Sequence, residues 1–122
     1  MATIELNQEN FEQLVGGEAT VIVDFWAPWC GPCVSFAPTY EVISDKYPNI
    51  VFGKVNTEVE QELAGYFQIR SIPTLMVFRE KIIVYSESGA LPAAGLEQLI
   101  EHVQKLDMQV VHKEIAAQVA KQ

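Results

Sequence analysis

Residues 20–27 read TVIVDFWA, a run that is β-branched, aromatic and continuously apolar except for Asp24. Such a run predicts a strand buried on both faces, at the centre of a sheet covered by helices on either side. A lone carboxylate in that setting costs several kcal/mol if charged. Burial should therefore raise its pKa and keep it partly protonated near neutrality. Just beyond the strand stand Cys30 and Cys33, separated by Gly31-Pro32.

The rest of the chain supplies elements to surround that strand. Thr3 to Leu6 predicts a short strand, and Asn7 an N-cap for a helix through about Val15, broken by Gly16-Gly17. The spacing of Val34, Tyr40, Ile43 and Tyr47 predicts a helix from Gly31 to about Tyr47, kinked at Pro38. Ile50 to Asn56 reads as a strand and Glu58 to Phe67 as a helix. Thr74 to Phe78 and Ile82 to Ser86 read as strands joined by a tight turn at Arg79 to Lys81. Gly89 marks a loop, and a long helical pattern begins near Ala93. The order β-α-β-α-β-α-β-β-α predicts an α/β fold, with a mixed sheet of about five strands flanked by about four helices.

A length of 122 residues, with no repeat or linker-like run, fits one domain. We place it at residues 1–107, with residues 108–122 as a helical extension of the last helix. Val111, Ile115 and Val119 recur every fourth residue there and predict an apolar stripe that buries surface. Either the last helix runs on, or a break at Asp107, acting as an N-cap, starts another.

The 8 basic and 16 acidic residues give a formal charge of −8. So acidic a fold should repel phosphate backbones and anionic lipid, which argues against nucleic acid and membranes as partners. The opening MATIELNQENFEQL lacks the basic flank and apolar run of a signal peptide, and no stretch is long and apolar enough to span a bilayer. A cytoplasmic location is the expectation, and in a reducing compartment a lone cysteine pair is not passive.

Three readings compete for Cys30-Gly31-Pro32-Cys33. A structural disulfide closing so short a loop contributes little, because the entropic term grows with loop length. A zinc site needs about four ligands, and only His102 and His112 offer nitrogen. On one continuous helix those histidines would stand about 15 Å apart. We read them as solvated and expect no metal, with a zinc site completed by carboxylates or a second chain as the alternative.

The redox dithiol fits the local geometry best. Pro32 suits the first turn of a helix, since its missing N–H would have been unpaired anyway. Cys30 then lies at the helix N-terminus, where orphan N–H groups and the helix dipole stabilise a thiolate. Cys33 falls one turn further in, shielded yet able to attack the sulfur of Cys30. Cys30 is the expected nucleophile and Cys33 the resolving thiol.

VDFWAPWCGPC is similar to the active-site segment of the thioredoxin family. Lys54 in GKVN, Pro73 in SIPTL and Gly89 in SGAL fall where that family has matching features, and the resemblance runs from about Ile4 to Leu106. It implies a thioredoxin fold and a general protein-disulfide reductase that serves cell redox homeostasis. It implies that Asp24 lies beneath the cysteines and takes the proton of Cys33. The alternative, which can coexist with it, is a structural Asp24 bonded to backbone or to a lysine, with Lys54 on the adjacent strand as the candidate partner. Gly31 and Pro32 belong to the same reactive segment.

X-Pro bonds are cis in only about one case in twenty, so the residues alone favour trans at Ile72-Pro73. The resemblance implies cis, with the Ile72 backbone free to pair with an extended substrate. It places Trp29, Ile72, Pro73, Thr74, Gly89 and Ala90 on a substrate-binding face, and Trp26 packed under the motif. Val34 stands where the family often carries Lys or Arg, Ser88 where an apolar residue is common, and the Glu80-Lys81 turn lacks the usual glycine.

The implied partners are disulfide-containing proteins and a thioredoxin reductase, since the chain has no nucleotide fingerprint of its own. No cofactor is expected beyond the cysteine pair. The chain is expected to be a monomer, with self-association through the extension as the alternative. A rival function is an adaptor or holdase of the same fold that docks a dedicated partner through that extension.

Overall fold

The computed structural model describes residues 2–121. Strands β1 (Thr3–Glu5), β2 (Val21–Trp26), β3 (Val51–Asn56), β4 (Thr74–Arg79) and β5 (Ile82–Ser88) form one sheet in the order β1-β3-β2-β4-β5. β1 and β2 both run parallel to β3, whereas β4 is antiparallel to β2 and to β5. β2 is central, as its unbroken apolar character predicts. Every residue from Val21 to Phe25 is buried.

The helices α1 (Phe11–Val15), α2 (Gly31–Lys46), α3 (Gln61–Tyr66), α4 (Ala93–Gln104) and α5 (Met108–Ala120) complete the fold. Successive side chains of a strand face opposite ways, so two cores form. Ile22, Phe52, Leu75 and Val77 pack with Tyr40 of α2 and Leu96 and Ile100 of α4. Val23, Phe25, Val55 and Phe78 pack with Phe11 of α1 and Leu63 of α3 on the other side. By this parity Asp24 shares the face of Ile22, the one covered by α2. Tyr40 reaches from α2 to the Ile22 and Gly53 carbonyls at 3.0 and 2.8 Å, and burial holds its hydroxyl pKa well above the usual value. Glycine at 53 lets β3 pass close to Leu6, since a Cβ there would stand 2.4 Å from Leu6 Cδ1 and force that side chain to shift.

Two helices start later than the sequence reading has them. α3 begins at Gln61, not at Glu58, and α1 begins at Phe11, not directly after Asn7. Even so, Asn7 Oδ1 accepts from the N–H groups of Glu9 and Asn10, both at 2.9 Å, and so caps the turn that leads into the helix. The hairpin turn does form without glycine, and both Glu80 and Lys81 take positive φ, at 53° and 69°.

The tail decides between two readings. Of the two arrangements read for it, the break forms: Asp107 Oδ1 accepts from Gln109 N at 3.0 Å and Val110 N at 3.4 Å and starts α5 as a separate helix. Arg79 Nη1 donates to the Val103 and Leu106 carbonyls at 2.8 and 3.0 Å, satisfying the end of α4 where the chain turns. The predicted stripe is only half realised. Met108 is buried and Val111 half-buried, whereas Ile115 is 40% and Val119 64% exposed. His112 is not merely solvated, for its Nε2 lies 2.9 Å from Glu80 Oε1.

Candidate active site

β2 ends at Trp26, at one end of the central strand, and α2 begins shortly after, at Gly31. Cys30 is the N-cap of α2, with extended backbone and Pro32 in the first turn. Its sulfur accepts the backbone N–H of Cys33 at 3.2 Å. This is the place of an N-cap oxygen in an ordinary helix, so one orphan N–H of the first turn is aimed at sulfur. The two cysteines form a disulfide across 5.2 Å between their Cα atoms. Both are nearly buried, Cys30 at 5% and Cys33 at 2% exposure, and pack with Ala27, Trp26 and Ile72.

Asp24 is 1% exposed, and neither carboxylate oxygen has a hydrogen-bond partner among the described residues. Burial pushes its pKa up from 3.8 to about 7, against an opposing pull from the Lys54 charge. The strand register does set Lys54 beside Asp24. Its ammonium, however, stands 4.6 Å from the centre of the Trp26 ring, not bonded to the carboxylate. Lys54 thus acts on Asp24 through space, with Trp26 lying under the cysteines as the sequence suggested.

The Ile72-Pro73 bond is cis. The Ile72 carbonyl lies 3.8 Å from Cys30 Sγ, a contact only, since a disulfide sulfur has no proton to donate. Gly89, at φ 107°, donates its N–H to the Pro73 carbonyl at 2.8 Å and brings the loop after β5 to the same spot. Trp29, Gly31, Pro32, Gly89 and Ala90 are exposed here, Ile72 is half-buried and Pro73 buried. Thr74 does not line the face. It is buried, and its hydroxyl donates to the Ser71 carbonyl at 2.6 Å, bracing the turn that carries Pro73.

Sequence reasoning passed over Glu58. The Trp29 indole Nε1–H donates to Glu58 Oε1, across a separation of 29 residues. No local pattern marks Glu58; only the parallel pairing of β2 with β3 brings the loop after β3 to the cysteines. Among the described residues no group of three or more His, Cys, Asp or Glu is placed to hold a metal ion. The redox group is the chain's own cysteine pair.

A family model described as Thioredoxin matches residues 2–102. The chain belongs to the thioredoxin family. It is 50% identical over 119 residues to "Putative thioredoxin 2" of Streptomyces coelicolor, covering 98% of this chain and 89% of that protein. It is 38% identical to "Thioredoxin C-3" of Corynebacterium nephridii over 80% of this chain and 68% of that one. Among solved structures, Malassezia sympodialis thioredoxin (Mala s 13) superposes with a TM-score of 0.75 at 30% identity, covering 84% of this chain and 90% of the other.

With its cysteine pair in disulfide geometry, the chain is a protein-disulfide oxidoreductase of the thioredoxin type. Disulfide-containing proteins and a thioredoxin reductase are its general kinds of partner. Nothing in the comparisons favours the adaptor alternative.

Proposed function

We propose that Cys30 is the attacking thiol, Cys33 the resolving thiol and Asp24 the acceptor of the Cys33 proton. The observation that carries this is the cap of α2, in which Cys30 Sγ takes the N–H of Cys33. A hydrogen bond from an N–H and the positive end of the helix dipole favour charge on sulfur, and so lower the pKa of Cys30 in the reduced protein. Cys33 lies at the same end but is more enclosed, and among the described residues no such donor reaches its sulfur.

The Cys30 thiolate attacks a substrate disulfide, forms a mixed disulfide and releases one substrate thiolate, which takes a proton from solvent. Cys33 passes its proton to Asp24 and attacks Cys30 Sγ, which breaks the mixed disulfide. The second substrate sulfur leaves as a thiolate and takes the proton held by Asp24, and two electrons have moved from the protein to the substrate. A carboxylate with a pKa of about 7 suits that transfer, because near neutrality it is available both as base and as acid. Its place on the face covered by α2 supports access to Cys33.

Trp29, Ile72, Pro73, Gly89 and Ala90 form the face against which an extended substrate segment lies, and Thr74 positions the Pro73 turn. A thioredoxin reductase restores the dithiol in the cytoplasm. No helix of the described residues is long and apolar enough to cross a membrane, which is compatible with that location. Residues 1–107 carry the chemistry and residues 108–122 are accessory.

The test is labelling and trapping. Reduced protein near pH 7 should be alkylated at Cys30 well before Cys33, and Cys33→Ser should accumulate mixed disulfides with a disulfide-bonded protein substrate. Equal labelling rates, or no trapped adduct, would overturn the assignment of roles.

A further inference from the structure

We infer that Glu58 makes this reductase selective for disulfides flanked by cationic residues. This deepens the reductase reading and rests on it. Trp29 is 68% exposed and next in sequence to the attacking thiol, and its indole is bonded to the Glu58 carboxylate. Glu58 is itself exposed, and only Oε1 is engaged by Trp29. Oε2 has no partner among the described residues and stays available to a substrate group.

The segment that carries this carboxylate is fixed by the backbone. Thr57 donates both its N–H and its hydroxyl to the Trp26 carbonyl, at 2.8 and 3.0 Å. Asn56 Oδ1 accepts the N–H of Glu58 at 3.0 Å, and the Asn56 carbonyl accepts from Val59 and Glu60. Gln61 closes the turn by donating to the Glu58 carbonyl at 3.1 Å. The charge is therefore preorganised beside the indole.

Arg70, exposed in the loop that leads to Ile72, is the cation nearest in sequence to this face, and among the described residues no contact joins it to Glu58. Val34, one turn into α2 from Cys30, is 54% exposed and uncharged, and Gly89 and Ala90 on the opposite side carry no charge. Lys54 is half-buried below, against Trp26. A substrate strand laid over Trp29 thus meets a fixed negative charge within a few residues of its cysteine. Two unit charges a few ångströms apart near a protein surface interact strongly enough to shift rates several-fold, and the effect fades as salt screens it.

The experiment uses two disulfide-bridged peptides that are identical except for lysine or glutamate beside the cysteine, reduced by the full-length protein. Wild type should give kcat/KM about three- to ten-fold higher for the lysine peptide at low ionic strength, converging at high salt. Glu58→Gln keeps an oxygen for the indole and removes the charge. It should bring the ratio near one, by slowing the lysine peptide and speeding the glutamate peptide, while Trp29 fluorescence stays close to wild type. Glu58→Leu should change the fluorescence as well and slow both peptides. If wild type reduces both peptides but the ratio is unchanged in Glu58→Gln, the inference is overturned and Glu58 only positions Trp29. If wild type reduces neither, the reductase reading itself fails, which is a different result.

Discussion

Asp24 holds its proton into the neutral range because its surroundings replace none of the water it lost. Among the described residues no donor reaches either oxygen, and Lys54 acts only from a distance. Since the folded-state value lies above the unfolded one, the folded chain binds more protons than the unfolded chain between pH 3.8 and about 7. The stability attached to this group is full below that window and is lost as pH rises through it. A rise from 3.8 to about 7 is equivalent to roughly 4 kcal/mol against folding above neutrality. Asp24→Asn should therefore be more stable than wild type at pH 8, with the gap closing toward pH 4. It should also reduce disulfides several-fold more slowly near neutral pH, since an amide cannot accept the proton. Denaturant titrations across this range check the first outcome, and a gap that widens toward low pH would refute it. At this scale the cysteines and Asp24 were readable because each breaks an otherwise uniform pattern. Glu58 breaks none, since an exposed glutamate in a loop looks like any other.

At the level of elements, what the sequence conveyed depended on whether the signal was local. Asp107 was readable as an N-cap because its residue type and the run that follows carry the information. Burial of the stripe was not, because periodicity states which residues share a face and not how far a neighbour covers it. Left-handed backbone was equally hidden. Gln68, Glu80 and Lys81 all take positive φ without being glycine, at 55°, 53° and 69°. At Gln68 the turn is closed by Ile69 N donating to the Ala64 carbonyl at 2.9 Å after α3 ends, a requirement of the fold that residue type does not announce. With so little of α5 buried, its cap matters more than it would for a core helix. Asp107→Ala should cost about 1 kcal/mol of helix stability. Far-UV circular dichroism should register some lost helix, while the near-UV signal of the packed aromatic core is retained. Unchanged helicity would mean that Arg79 and the His112–Glu80 contact hold α5 without the cap.

Across the whole molecule, the sheet separates chemistry from tail. Cys30 follows the C-terminal end of β2. Because β4 is antiparallel to β2, Pro73 precedes β4 at that same end, and Gly89 follows β5 there. The β4–β5 turn, with Glu80 bonded to His112 of α5, lies at the opposite end. The strand between them, Thr74–Arg79, spans about 17 Å at roughly 3.3 Å per residue. The charge is divided as well. The four charged residues from Asp107 on cancel, so the net −8 belongs to the body that carries the site. A truncation should respect the buried Met108 and the Leu106 carbonyl bonded to Arg79, so the informative variant ends at Met108. Removing the rest of α5 exposes parts of Ile82, Val84 and Leu106, which line a groove with Val111 and Ile115. Partial burial of a few side chains is worth about 1–2 kcal/mol after ordering costs, which corresponds to a fall of several degrees in Tm. The kcat/KM for disulfide reduction should stay within about two-fold of wild type, because α5 contributes no thiol, acid or contact at the Cys30 end. A truncated protein that folds cooperatively yet loses reductase activity would show that the tail reaches the chemistry across the sheet.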